Sequence, residues 1–261
     1  MKPAPPVTMH FMGNIRDANA QRNRLANVVK PESRLSAAHK LCKYYTFAIL
    51  GNSRYHPDML QPSRQPMTVE SVDPDHKAFL DDYVGRLHRA TAADDGVFAR
   101  ISATRASWLR TRERGGRVIF IGNGGSAGIA SHLAIDLAKN ASVPALCFSD
   151  ASMITCLAND YGFEDWIAHA VRLNARAGDC LVSISSSGRS KNILNAVAQA
   201  RTMQLDVITL SGMNADNPLR KLGDVNFWVD SSSYNIVETT HQFWMMAAID
   251  LVIGRAEYPA S

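Results

Sequence analysis

From residue 117 onward, short apolar runs alternate with segments of helical period. The runs are RVIFIG (117–122), PALCFS (144–149), DCLVSIS (179–185), DVITLS (206–211) and VNFWVD (225–230). Between and after them, SAGIASHLAIDLAKN, ASMITCLAND, FEDWIAHAVRLNA, SKNILNAVAQARTM, NPLRKLG and YNIVETTHQFWMMAAIDLVIG read as helical. Strands this apolar, each followed by a helix, predict a parallel sheet covered on both faces. Two further helices lead in. DPDHKAFLDDYVGRLHRAT starts with Asp73 before Pro74 and spaces Phe79, Leu80, Tyr83, Val84 and Leu87 at helical intervals. DDGVFARISATRASWLRTRERG follows it and stops at Gly115. The fold class is therefore α/β: a doubly wound parallel sheet sandwiched by helices, with two N-terminal lead-in helices.

Residues 1–66 have another character. They are rich in Arg, Asn and Pro and close on the breaker-laden GNSRYHPDMLQPSRQP. They read as a basic, poorly ordered extension holding one helical stretch, SRLSAAHKLCKYYTFAIL (33–50). Met67 opens MTVESVDPDHKAFLDDYVGRL in the manner of a natural start, so an over-extended translation is a second reading. The regular domain is then 67–261.

Composition mostly excludes. A hydrophobic fraction of 46% with 20% charged residues is that of a soluble globular protein. No apolar run reaches the roughly 20 residues of a membrane span, and the N-terminus has no signal-peptide core. The expected location is the cytoplasm, with no membrane partner. A net charge of +4, scattered along the chain, leaves no nucleic-acid footprint. Cys42, Cys147, Cys156 and Cys180 show no CxxC spacing and read as buried free thiols.

In sheets of this class, ligands bind beyond the carboxyl ends of the strands. Two strand ends here carry unusual loops. In IFIGNGGSAGIASH (119–132), Gly122, Gly124 and Gly125 allow a sharp turn and close backbone approach, and Ser126 is expected to cap the next helix. In VSISSSGRSKNI (182–193), Ser185, Ser186, Ser187 and Ser190 surround Gly188. One hydroxyl suffices for a helix cap. Four favour an anion, held by hydroxyls and backbone N–H groups at a helix N-terminus. GNGGSAG is neither a dinucleotide fingerprint nor a P-loop, so no nucleotide cofactor is expected.

GNGGSA, NDYGF (159–163), SISSSGRSKNILNAVAQAR and VITLSG together resemble the sugar isomerase (SIS) domain family over about residues 75–254. Within it, the phosphoheptose isomerase branch is the most similar. The resemblance implies a sugar phosphate substrate and a homotetramer with sites between subunits, its central bundle built by the lead-in helices. It implies that Ser185, Ser186, Ser187 and Ser190 hold the phosphate. Asn123, Gly124 and Ser126 would contact the sugar from the first loop, and Asp160 would lie near the sugar hydroxyls. That branch interconverts sedoheptulose 7-phosphate and D-glycero-D-manno-heptose 7-phosphate, which feeds heptose into lipopolysaccharide or other surface glycans.

Such a reaction moves a proton between adjacent carbons through an enediol. It needs a base at carbon and a group that shuttles the hydroxyl and carbonyl protons. The family uses a helix-borne Glu and a His on the last helix, and bacterial members hold Zn2+ around them. Here those positions carry Asp136 and Met246, and the family's helix-borne Gln is Glu238. His132 and Asp136 are four apart on one helix, and Glu238 and His241 are three apart on the last. The expected catalytic set is Asp136 as carbon base, His241 as oxygen-proton shuttle and Glu238 beside them. His132, Asp136, Glu238 and His241 are also the expected Zn2+ ligands. Two other readings stand beside this one: an isomerase for a different sugar phosphate, or a non-catalytic phosphosugar-binding or regulatory SIS protein, including the type that binds a replication initiator. The absent histidine favours the last.

Overall fold

The computed structural model describes residues 71–92 and 94–259. The chain divides into two units, Met1–Glu70 and Ser71–Ser261. The first lies outside the described residues, and with it the expectations for residues 1–66 and for Cys42. The second begins with α1 (Pro74–Thr91) and α2 (Asp95–Glu113). It continues as β1 (Val118–Ile121), α3 (Gly125–Lys139), β2 (Ala145–Cys147), α4 (Ala151–Tyr161), α5 (Trp166–Asn174) and β3 (Cys180–Ser185). Then follow α6 (Lys191–Thr202), β4 (Asp206–Gly212), β5 (Val225–Val229) and α7 (Tyr234–Ile253). NPLRKLG, read as helical, forms only a short 3₁₀ turn at Pro218–Lys221.

All strand pairs are parallel, in the order β2-β1-β3-β4-β5. Side chains of successive strand residues point to opposite faces, so the strands of a sheet covered twice are largely apolar on both faces, with Ser183 and Thr209 buried exceptions. In β1, Val118 and Phe120 enter one core with Trp108 of α2, Leu133 and Leu137 of α3, and Trp244 and Met245 of α7. Ile119 and Ile121 enter the other with Leu157 of α4, Ile167 of α5, and Ile193 and Val197 of α6. Trp108 sets its ring edge-on to Phe120 at 6.0 Å, pinning α2 to the sheet.

Asp73, Asp94 and Asp150 start α1, α2 and α4 by accepting first-turn backbone N–H groups. α1 departs from the expected pattern. It buries no residue, and Phe79, Leu80 and Val84 are exposed while Tyr83, Leu87 and Ala90 are half-buried. Its apolar stripe is broader than its contact with α7. Among the described cysteines, Cys180 is buried and Cys147 half-buried, but Cys156 is exposed, against expectation.

Asp179, at the entry of β3, does more than turn the chain. It is buried, and its carboxylate accepts the backbone N–H groups of Arg117 (2.7 Å) and Arg176 (2.8 Å), with the Arg117 guanidinium 3.7 Å away. It therefore ties the entry of β3 to the entry of β1. Asp179→Ala would strand two inward-facing donors and should lower stability by about 2–4 kcal/mol. A urea denaturation curve with an unshifted midpoint would contradict this.

Candidate active site

The order β2-β1-β3 contains the switch point of the sheet. The connection after β1 leaves toward one edge and that after β3 toward the other, which opens a crevice between the two loops. Into this crevice the structure brings both loops singled out by sequence. A cavity of about 140 Å³ is lined by Asn123 and Ser126, by Ser185, Ser186, Ser187 and Ser190, and by Tyr234 and Glu238 of α7.

The serines are not there to cap a helix. Ser190 is the N-cap residue of α6, yet its side chain accepts no first-turn N–H. Its hydroxyl instead receives a hydrogen bond from Ser185 Oγ at 3.3 Å. Gly188 turns the loop at φ 63°, and a Cβ there would collide with the Asn217 side chain. The resulting loop curls around the N-terminus of α6 with its hydroxyls gathered, an arrangement that suits an anion. Ser126 corrects an expectation. Gly124 occupies the N-cap of α3 at φ 54°, and Ser126 lies buried one position inside the helix, where it lines the cavity.

A second cavity, of about 570 Å³, adjoins the same helices. It is lined by Tyr83 of α1, by Gly125, Gly128, Ile129 and His132 of α3, and by Asn235, Glu238, Thr239 and Gln242 of α7. Glu238 lines both cavities. Its carboxylate lies so close over Gly125 that a Cβ at this position would strike it. A negative charge over the first turn of α3 is favoured by that helix's dipole.

His132 and Asp136 meet as their spacing implied, with Nε2 3.1 Å from the carboxylate. On the other side of the ring, Gln242 Nε2 lies 3.0 Å from His132 Nδ1. With the amide donating there, the ring proton sits on Nε2 and faces Asp136. Asp136 lines neither cavity, so it backs His132 rather than facing the crevice.

His241 does not join this group, which corrects the expected catalytic set. It is fully buried, and its Nε2–H donates to the Ser211 carbonyl of β4 at 3.0 Å, while Nδ1 has no partner. Burial pushes its pKa down to about 4, against a smaller opposing effect of the Ser211 bond. The reason is angular: residues three apart on a helix differ by about 60° around the axis. On α7 that angle separates the crevice, where Glu238 points, from the sheet, where His241 points. The expected Zn2+ ligands do not converge either. Among the described residues no three His, Cys, Asp or Glu side chains are placed to share a metal ion. The four named residues do not fit a metal site within this chain.

Asp160 stands exposed at the end of α4, bonded to Asn159 at 2.9 Å, and lines neither cavity. Met246 is half-buried against the apolar core beside Trp244 and Met245.

Comparison with known proteins identifies the domain. The SIS domain family matches residues 79–212. The chain belongs to this family. The phosphoheptose isomerase of Campylobacter concisus is 35% identical over 141 residues, covering 52% of this chain and 74% of the relative. That of Streptomyces coelicolor is 37% identical over 155 residues, covering 56% and 67%. Among solved structures, phosphoheptose isomerase GmhA from Neisseria gonorrhoeae aligns with a TM-score of 0.61 at 27% identity, over 68% of this chain and 97% of that one. The matched residues run from α1 through β4 and include both loops, and they end before β5 and α7.

Sequence reasoning missed Tyr234, Asn235, Thr239 and Gln242 of α7, which line the cavities, and Asn192, buried behind the serine loop. Each is polar on a helix of mixed pattern, and no motif marks which polar positions face a cleft. The buried His241 yields a prediction of its own. Between about pH 6.5 and 4, only the unfolded chain binds a proton at this residue. Stability should therefore fall as pH drops through that window, by on the order of 2–3 kcal/mol. His241→Asn should flatten the dependence. Identical slopes for the two proteins, from denaturation at pH 7 and 4.5, would refute it.

Proposed function

We propose that the protein is a phosphosugar isomerase acting on a seven-carbon substrate, interconverting sedoheptulose 7-phosphate and D-glycero-D-manno-heptose 7-phosphate. The observation that carries this reading is Glu238, which lines both the serine-loop cavity and the cavity holding His132. A phosphate held by Ser185, Ser187, Ser190 and the N-terminus of α6 leaves the sugar chain to run past Asn123 and Ser126 toward Glu238. With Asp136 outside the crevice and His241 sealed under the sheet, the acid–base work falls to Glu238 and His132.

From the ketose, Glu238 takes a proton from C1 while His132 gives one to the carbonyl oxygen on C2, forming the enediol. The O1 hydroxyl then returns a proton to His132, and Glu238 delivers its proton to C2, leaving the aldose. Asp136 holds the imidazole through Nε2, and Gln242 yields Nδ1 to the substrate, so the protonated ring delivers its proton from Nδ1 and takes it back there. No step is assigned to a metal. The exposed Phe79, Leu80 and Val84 of α1 support assembly into a homotetramer through the lead-in helices.

Ser187→Ala with Ser190→Ala should weaken sugar phosphate binding by about 1–3 kcal/mol. Glu238→Gln should lower turnover of sedoheptulose 7-phosphate about 10²–10⁴-fold with phosphate affinity kept. His241→Ala should act on stability alone. Full turnover by Glu238→Gln would remove it from the chemistry. A second reading, a phosphosugar-binding protein without catalysis, is favoured by Met246 packing into the core. An inert natural protein that gains isomerase activity as Met246→His would establish that reading instead.

A further inference from the structure

The two ligand loops are joined by a side-chain contact that neither motif announces. Asn123 of the glycine loop and Asn192, the second residue of α6, exchange two hydrogen bonds. Asn123 Nδ2–H donates to Asn192 Oδ1 and Asn192 Nδ2–H donates to Asn123 Oδ1, each at 2.9 Å. Asn192 is only 3% exposed and does not line the crevice, whereas Asn123 does.

The sense of this pair is determined. Two amides with oxygen and nitrogen exchanged would pair equally well, so a further contact has to decide. Asn192 Oδ1 also accepts the backbone N–H of Ile193 at 3.0 Å, a donor it shares with the Ser190 carbonyl at 3.1 Å, and a backbone N–H can only donate. The atom there must be oxygen, so Asn192 presents its N–H to Asn123. The Asn123 amide is thereby oriented as well, with one N–H and one lone pair left over.

We infer that Asn192 is a positioning residue that orients the Asn123 amide toward the sugar and couples the phosphate loop to the sugar-reading loop. This rests on the phosphosugar reading above. Asn192 sits in the first turn of α6, whose N-terminus faces the phosphate, and reaches the sugar only through Asn123. Without it the terminal torsion of Asn123 is soft, because sp³–sp² rotations have broad wells. A misplaced contact costs as much as about 100-fold in rate even when the binding groups are intact.

The test is a double-mutant cycle of Asn192→Ala and Asn123→Ala. Calorimetry measures affinity for inorganic phosphate and for sedoheptulose 7-phosphate, and turnover is followed alongside. Inorganic phosphate affinity should stay within about threefold across the cycle. Asn192→Ala should lower sugar phosphate affinity or kcat/KM about 10–100-fold, and the double variant should be no worse than Asn123→Ala. Additive losses, loss of inorganic phosphate binding, or an unmodified protein with no preference for the sugar phosphate would each overturn the inference. Tight binding without turnover would refute the isomerase reading and leave the binding cycle to decide the role of Asn192. Should Asn192→Ala fail to fold, Asn192→Leu, close in volume and without polar atoms, takes its place in the cycle.

Discussion

The pairing of β1 with β3 governs the site. Four residues of each strand lie in parallel register, from Val118 opposite Cys180 to Ile121 opposite Ser183. Parallel strands leave the sheet in the same direction, so the loops that follow, 122–124 and 186–190, emerge side by side. Their helices, α3 and α6, pack on opposite faces. Two helix N-termini thus converge on one crevice, and each adds backbone N–H groups and dipole where an anion would lie. Because both faces are apolar, the register rests on how the strand side chains pack in the two different cores rather than on a contrast of polar and apolar faces.

α7 closes the crevice and serves two surroundings at once. One side seals the sheet with Val237, Trp244, Met245 and the neutral His241. The adjoining side offers Glu238 to the N-terminus of α3 and Gln242 to His132. The glycine at position 125 is required by this approach, because any side chain there would displace the carboxylate.

The division of labour among the titratable groups follows from the same packing. Asp136 and His132 share a helix face and pair, but only the histidine reaches the open cavity. His241, three residues beyond Glu238, is desolvated and kept neutral. Fully buried and bonded to the Ser211 carbonyl, it has a structural role.

Strand and helix succession, the parallel sheet and both ligand loops were legible in the sequence, because each is a local pattern of apolar period, glycine and hydroxyl. That Asn123, Ser185, Ser186, Ser187 and Ser190 would gather at one cavity was legible for the same reason: the strand end places them. The direction taken by a side chain on a helix was not. Glu238 and His241 look equivalent at a spacing of three, and only the sheet beneath α7 decides that one meets the crevice and the other Ser211. The Asn123–Asn192 pair was equally hidden, since it joins residues 69 positions apart. Local pattern thus determined which elements form and where a ligand loop can lie. The tertiary structure decided which polar groups face one another there, because that depends on the angles at which packed helices present them.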